Sequence, residues 1–338
     1  MTFDLYRALW RFAEGVRRQY ILAMILLAAA SGVRLAIPLL AGMAINSIQL
    51  AGDGSLLRAG LCILGVFGVQ LTMWSLHFPG RVLERNVGIR VRANMADALY
   101  AKLVALPLAW HESRHSAETH YRTQQATRAL FDFTQGQYVY LQSAINLCGP
   151  IVALTVLSPT IGSIAVVGYV ILATLIVRFD AVMLRLQRDE SAAERRYAAR
   201  VLDFLGNIST VASLRLASAS RALVAGRLQS VFEPLRKNIV VNETKWCAVD
   251  LMSVGLSWTL VAAYAWLAHR SGETSGTTIL LGSVFMVYQY AQQAAGVVST
   301  MAQNYQVFTR IKTDVAAADP IWEAAERPAS TAQIAADW

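Results

Sequence analysis

The segment His111-Glu112-Ser113-Arg114-His115 has the residue types and spacing of a catalytic zinc site. In the H-E-x-x-H pattern, two histidines one helical turn apart hold zinc and the glutamate acts as the base. That chemistry requires a continuous helix and a third ligand. Pro107 precedes the motif and Ser116-Ala117 follows it, which favours a polar turn over a helix. A membrane zinc metalloprotease is therefore an alternative rather than the main hypothesis.

Other candidate functional residues are polar side chains inside apolar stretches, where they are costly unless they face a cavity or a partner. Arg34 interrupts the first stretch and is suited to an anionic group, although snorkelling or structural pairing would also explain it. Near the C-terminus, five polar residues line one segment: Gln289, Gln293, Thr300, Gln303 and Asn304. Four of them, all except Gln303, form one helical stripe that would line a cavity or bind a neighbouring helix.

Six long apolar stretches surround these residues, and 55% of the chain is hydrophobic while 15% is charged. A helix of about 20 apolar residues crosses the hydrocarbon core of a bilayer. The composition and lengths predict an all-α integral membrane protein with six transmembrane helices. The predicted spans are Tyr20–Leu50, Leu56–Phe78, Gln137–Leu157, Ile161–Val177, Cys247–His269 and Thr277–Met301.

Basic residues are concentrated before the first span, after the sixth, and in the two long segments after spans two and four. Positive charge flanks the cytoplasmic ends of membrane spans, so both termini and both long segments are predicted to be cytoplasmic. A multi-pass protein of the plasma membrane, in bacteria the inner membrane, is the expected location. The net charge of +8 is thus a topology signal, and no aromatic residues interleave with a compact basic patch as nucleic-acid binding would require.

The two long basic segments have helical periodicity. Between Arg81 and Leu106, and again between Val177 and Leu205, apolar residues recur at helical spacing without a proline. Spans two and four are therefore predicted to continue as cytoplasmic arms, which turn and return as spans three and five. Residues 1–18 form an amphipathic elbow helix in this interpretation. In span five, Asp250 is expected to pair with Lys245 or an arginine.

Together these features resemble the transmembrane domain of an ABC exporter, the type IV (type-1 exporter) fold. The first arm tip, Leu106-Pro107-Leu108-Ala109-Trp110, resembles the family's Leu-Pro-plus-aromatic turn, and Ser116 to Arg122 resembles its small-Gly-acid…Arg run. The second tip, Gly206 to Arg215, resembles its Asn-Ile-x-Thr-Val run. The resemblance covers residues 1–320, with a six-helix domain at 19–317 and a linker at 318–338.

The resemblance implies that two such halves, identical or different, form a twelve-helix dimer that exports an amphipathic or lipid-like substrate by alternating access. The arm tips would then couple to a nucleotide-binding domain through Ser116, Glu118, Arg122, Ser209, Thr210, Val211 and Arg215. The family usually has glycine where Ala117 stands, an acid near Ala126 and an aromatic residue near Leu214. These departures concern the coupling contacts rather than the fold.

The sequence contains no Gly-x4-Gly-Lys-Ser/Thr phosphate loop and no Leu-Ser-Gly-Gly run. The expectation is that this chain is not itself an enzyme and holds no cofactor, while ATP and magnesium bind a partner nucleotide-binding domain. A non-transporting scaffold with the exporter fold is the second alternative.

Overall fold

The protein is almost entirely helical. The computed structural model describes residues 3–50, 52, 54–270 and 280–327, without the side chains of 3–4, 299, 301–303 and 305–306. Within these ranges the chain forms twelve helices and no strand. The helices are α1 Phe3–Phe12, α2 Arg17–Arg34, α3 Ala36–Gln49, α4 Ser55–Ala105, α5 Leu108–Glu112, α6 Ser116–Gln135, α7 Gln137–Leu157, α8 Pro159–Gly206, α9 Ile208–Ser213, α10 Ala217–Arg270, α11 Leu281–Ala316 and α12 Asp319–Trp322.

The helices belong to two compact units. Unit 1 comprises Met1–Pro150, Leu280–Met286 and Gln303–Trp338, and unit 2 comprises Ile151–Ile279 and Val287–Ala302. Unit 1 therefore contains α1 to α6 and α12, unit 2 contains α8 to α10, and both α7 and α11 contribute residues to the two units.

Three of the helices are much longer than a membrane span. Helix α4 has 51 residues, α8 has 48 and α10 has 54. At a rise of 1.5 Å per residue, α4 extends about 76 Å, whereas the hydrocarbon core is about 30 Å thick. The prediction that spans two and four continue into helical arms is confirmed by α4 and α8.

Five helical stretches among the described residues are long and apolar enough to cross a membrane. They are Arg17–Gln49, Ser55–Ala105, Ser116–Leu157, Pro159–Gly206 and Ala217–Arg270. The predicted sixth span forms a helix, α11, that is not among them. Its glutamines lower its hydropathy, and residues 277–279 of the predicted span lie outside the described ranges. A sixth transmembrane helix thus stays a prediction.

Helix α1 packs against the arms of unit 1. Its apolar residues Leu5 and Leu9 are at most 2% exposed, and Phe12 is also buried. They share one cluster with residues of α4 and α6, including Met95 and Phe133. Burying a leucine side chain stabilises the fold by about 1.5–3 kcal/mol, so this face of α1 has a structural role inside the protein.

The first turn of α11 is capped by side chains of α3. The backbone N–H of Leu281 donates to Gln49 Oε1 at 2.7 Å, and that of Gly282 donates to Asn46 Oδ1 at 2.8 Å. The first N–H groups of a helix have no partner within it, so these side chains satisfy two of them. Gly42 and Gly282 allow the two backbones to approach, because a Cβ on either would contact the other helix.

An ion pair holds the break between α6 and α7. Helix α6 ends before Gly136, and the buried Glu84 of α4 accepts a hydrogen bond from the Tyr138 N–H at 2.8 Å. Glu84 also pairs with Arg81, whose guanidinium donates to the Gln135 carbonyl at 3.1 Å. One carbonyl and one N–H released by the break are thereby satisfied. We call Arg81, Glu84, Gln135 and Tyr138 the Gly136 clamp.

In unit 2, α8 and α10 pack antiparallel. Gly168 of α8 lies against Leu256, and Asp180 Oδ1 accepts a hydrogen bond from Lys245 Nζ at 3.2 Å further along the pair. Of the two partners expected for Asp250, Lys245 or an arginine, Lys245 is therefore wrong, because its side chain points across to α8. The side chains of Asp180 and Lys245 are only 15% and 10% exposed, which gives this pair a low-dielectric setting.

Glu84→Ala should destabilise the protein by about 3–5 kcal/mol, because it leaves the Arg81 guanidinium and the Tyr138 N–H without their buried partner. Thermal unfolding in detergent micelles should show a fall in Tm of roughly 10 °C. Asp97→Ala is the matched control, since Asp97 is an exposed acid on the same helix. A Glu84→Ala protein as stable as the Asp97→Ala protein would contradict the structural role of the clamp.

Candidate functional site

The zinc-like motif does not lie on one helix. Helix α5 has five residues and ends at Glu112, while His115 precedes the first residue of α6. The His111 Nε2 atom is 3.0 Å from the Leu103 carbonyl oxygen, so this ring is engaged by the backbone of α4. Among the described residues no group of three His, Cys, Asp or Glu side chains could hold a metal ion. The motif therefore consists of the end of α5 and the turn that precedes α6.

The first arm tip is a short helix held between two long ones. Pro107 separates helix α4 from helix α5, and the preceding residue, Leu106, is fully buried. Arg114 lies over the Trp110 ring, with its guanidinium carbon 4.7 Å from the ring centroid. The Ser113 hydroxyl donates to the Trp110 carbonyl at 2.9 Å. Local packing thus fixes the tip while Leu108 remains 69% exposed.

Three residues implied in coupling lie at the start of α6. Ser116 is its first residue, and Glu118 Oε1 accepts a hydrogen bond from Arg122 Nη2 at 2.8 Å. Both side chains are exposed to solvent, so the pair contributes little to stability.

The second arm tip, in unit 2, is also a short helix. Helix α9 contains Ser209, Thr210 and Val211, of which the first two are exposed and the third is partly buried. The tip ends with two reverse hydrogen bonds, from the Arg215 N–H to the Ala212 carbonyl and from the Leu216 N–H to the Val211 carbonyl. This pattern is the Schellman motif, which terminates helices and normally uses glycine in the left-handed position.

Arg215 occupies that left-handed position with φ of 54°. It is the one non-glycine residue with positive φ in the described part of the chain. A side chain in this conformation costs about 1 kcal/mol or more relative to glycine. Backbone strain at an exposed tip is the observation that singles out Arg215 among the predicted coupling residues.

The predicted cavity residues are divided between the units. Arg34, the last residue of α2, is exposed in unit 1. In unit 2, Gln289 and Gln293 are partly buried, and the Thr300 hydroxyl donates to the Val297 carbonyl of its own helix at 3.0 Å. The side chain of Gln303 lies outside the described residues.

Asn304 contacts a neighbouring helix within unit 1. Its Nδ2 atom lies 3.4 Å from Ser143 Oγ of α7. Such a contact is typical of polar residues that hold membrane helices together. Asn304 therefore has a partner in the fold, whereas the exposed Arg34 guanidinium forms no ion pair with a carboxylate in the part of the chain that the structure describes.

The residues after α11 are packed rather than extended. Ile321 of α12 is 1% exposed, and the Trp322 ring lies 6.1 Å from the Phe12 ring. Lys102 Nζ binds Glu326 Oε1 at 2.8 Å, and the Arg327 N–H donates to the Ala105 carbonyl at 2.9 Å. The start of the predicted linker, up to Arg327, is thus docked on the end of α4, while 328–338 lie outside the described ranges.

Sequence reasoning did not find the Gly136 clamp or the pair of Asp180 with Lys245. A weak signal existed in both places, because each acid stands within a few residues of the end of an apolar stretch. The identity of its partner depends on how the helices are aligned, which the sequence does not specify.

Two long arms with short helices at their tips, joined to apolar helices, define the class of protein. Residues 20–292 match the ABC transporter transmembrane region family, and the chain belongs to that family. The chain is therefore the transmembrane region of an ABC transporter.

Curated relatives carry the name Beta-(1→2)glucan export ATP-binding/permease protein NdvA. Those of Brucella abortus biovar 1 (strain 9-941) and Brucella suis biovar 1 (strain 1330) are each 28% identical over 200 residues. The match covers 56% of this chain and 31% of each relative. The chain thus spans about a third of the length of the curated relatives that it matches.

Proposed function

We propose that this membrane domain translocates substrate by alternating access, as one half of a dimer powered by an ABC nucleotide-binding domain. The single observation that carries the proposal is the pair of helical arms, each ending in a short helix with exposed residues. An arm of this length brings its tip far beyond the bilayer, where a soluble ATPase domain is accessible. Family membership supports the same partner.

The nucleotide-binding domain would dock on the first tip through Ser116, Glu118 and Arg122, and on the second through Ser209 to Val211 and Arg215. ATP and magnesium would be held by that domain and not by this chain. A docked tip would pass movement to the membrane, because a helix without an internal proline, such as α8 after its first turn, resists bending. Two alternative packings of the helices, biased by the tips, would then expose the pathway to either side.

The pathway would be lined by Arg34 and by Gln289, Gln293, Thr300, Gln303 and Asn304. Arg34 would bind an anionic group, and the amides and hydroxyl would bind polar groups of an amphipathic or lipid-like substrate. The name of the relatives favours a second candidate, a glucan, whose hydroxyl groups also pair with amide side chains. The proposed location is the plasma (inner) membrane, with both termini in the cytoplasm.

Two variants of Arg215 distinguish the effect of its strained backbone from the effect of its side-chain contact with the ATPase domain. In the dimer reconstituted with its ATPase domain, Arg215→Ala and Arg215→Gly should both lower transport per ATP hydrolysed by about tenfold, a typical coupling free energy. Arg215→Gly should also stabilise the tip, because glycine adopts the left-handed conformation without cost. The measurement is substrate transport and ATP turnover in the same vesicles.

Arg221→Ala is the control, since it removes the same charge from an exposed position of α10. Normal coupling in both Arg215 variants would contradict docking at this residue. If the reconstituted protein transports no substrate with any ATPase domain, the result would support the scaffold alternative. Zinc-dependent proteolysis abolished by Glu112→Gln would support the metalloprotease alternative.

Arg34→Ala should raise the half-saturating concentration of an anionic substrate by about tenfold or more, because a hydrogen bond to a charged group is worth about 1.5–3 kcal/mol. Arg34→Lys should recover part of the affinity. Arg58→Ala is the control, because Arg58 is an exposed arginine near the start of α4. Unchanged affinity with normal assembly in Arg34→Ala would remove Arg34 from the pathway.

A further inference from the structure

A cavity of about 370 Å³ lies in unit 1 between α1, α4, α11 and α12. Its size is within the range of small-ligand sites. It does not include any of the residues assigned to coupling or to the pathway. Its charged and aromatic lining residues are Arg7, Arg11, Phe12, Lys312, Asp319 and Trp322.

The charges of the cavity favour an anion. Arg7 and Arg11 stand one turn apart on α1, and Lys312 lines the cavity from α11. Asp319 is the one acidic residue of the lining. Partial burial, and then the carboxylate of Glu323, raise the pKa of Asp319, so this acid holds its negative charge less firmly than an ordinary aspartate. Three cationic side chains therefore face one weakened acid.

The rest of the lining is apolar. Leu5, Ala8, Met95 and Val315 contribute aliphatic surface, and the Trp322 ring forms part of the wall. The Arg11 guanidinium carbon lies 5.5 Å from the centroid of the Trp322 ring, which holds this cation at the cavity. A ligand that fits would combine an anionic group with a hydrophobic part.

Exposed aromatic residues on α1 place the cavity at the membrane surface. Tyr6 and Trp10, which follow the buried Leu5 and Leu9 on α1, are 42% and 44% exposed, and the Tyr6 ring also packs edge-on against Phe133 at 5.1 Å between ring centroids. Tyrosine and tryptophan are enriched at the level of the lipid headgroups. Trp10 is also joined to Arg17, the first residue of the first membrane-spanning stretch, through a hydrogen bond of 3.2 Å.

We propose that this cavity binds the headgroup of an anionic phospholipid. The phosphate diester would lie between Arg7, Arg11 and Lys312, and the glycerol and first carbons of the acyl chains would contact the aliphatic lining. Basic pockets between helices on the cytoplasmic side of a membrane are typical sites for such headgroups. The bound lipid would join α1 to α11 and α12, and thus to the docked C-terminal segment.

Quenching of tryptophan fluorescence by brominated lipids tests the site. The full chain is reconstituted in phosphatidylcholine vesicles containing brominated phosphatidylglycerol, or an equal fraction of brominated phosphatidylcholine. We expect quenching to be stronger with phosphatidylglycerol, and the excess to be lost in Trp322→Phe. Equal quenching by the two lipids would overturn the proposal.

Charge variants identify the pocket. Removing each basic residue should lower the apparent affinity for phosphatidylglycerol about fivefold. The excess quenching should therefore be lost in Arg7→Ala/Arg11→Ala/Lys312→Ala and kept in Arg7→Lys/Arg11→Lys. The control Arg221→Ala/Arg227→Ala/Arg236→Ala removes the same charge from exposed positions of α10 and should keep it. Excess quenching that survives in the first variant would contradict the site.

Inorganic phosphate distinguishes a lipid from a free anion. If the site binds the lipid, phosphate at the ionic strength of the assay should leave the excess quenching unchanged relative to chloride. Loss of the excess with phosphate but not with chloride would assign the cavity to a soluble phosphate and overturn the lipid proposal. None of these outcomes depends on transport, so they leave the proposed function to its own tests.

Discussion

The fold depends on how the polar backbone groups at helix ends and breaks are satisfied near a bilayer. Water does not reach the hydrocarbon core, and an unpaired N–H or carbonyl there costs several kcal/mol. The Gly136 clamp provides partners for Gln135 and Tyr138 where α6 gives way to α7. Asn46 and Gln49 do the same at the start of α11. In each case one helix completes the hydrogen bonds of another, so their relative positions are fixed together.

These contacts also hold the long helices in place along their length. Helix α4 packs against α1 along its buried face and contributes Glu84 to the Gly136 clamp. At its C-terminal end, Lys102 and Ala105 bind the C-terminal segment. Three attachments along one helix make it the structural axis of unit 1. In unit 2, the antiparallel pair of α8 and α10 has a buried ion pair instead. The tips lie at the ends of these supported helices, which is why we assign them the coupling role.

The sequence predicted the elements better than their contacts. Apolar length and helical periodicity predicted five of the six spans and the helical arms, because both signals depend on residues close in the chain. The amphipathic pattern of residues 1–18 predicted a helix, but it did not specify that Leu5 and Leu9 would pack on α4 and α6. Lys245 was one of the partners expected for Asp250, but it pairs with Asp180, which is distant in sequence. Arg215 was proposed by resemblance, and its left-handed backbone could not be read from a residue type that rarely adopts it.

The central claim is that the arm tips lie in the cytoplasm, where an ATPase domain can dock. Single-cysteine labelling in intact cells tests this most directly, in a chain whose Cys62, Cys148 and Cys247 are replaced. A membrane-impermeant maleimide should label a cysteine at Ser158, between α7 and α8, from outside. It should label Ser116→Cys and Ser213→Cys only after the membrane is permeabilised. External labelling of Ser213→Cys, with Ser158→Cys protected, would invert the topology and contradict the account.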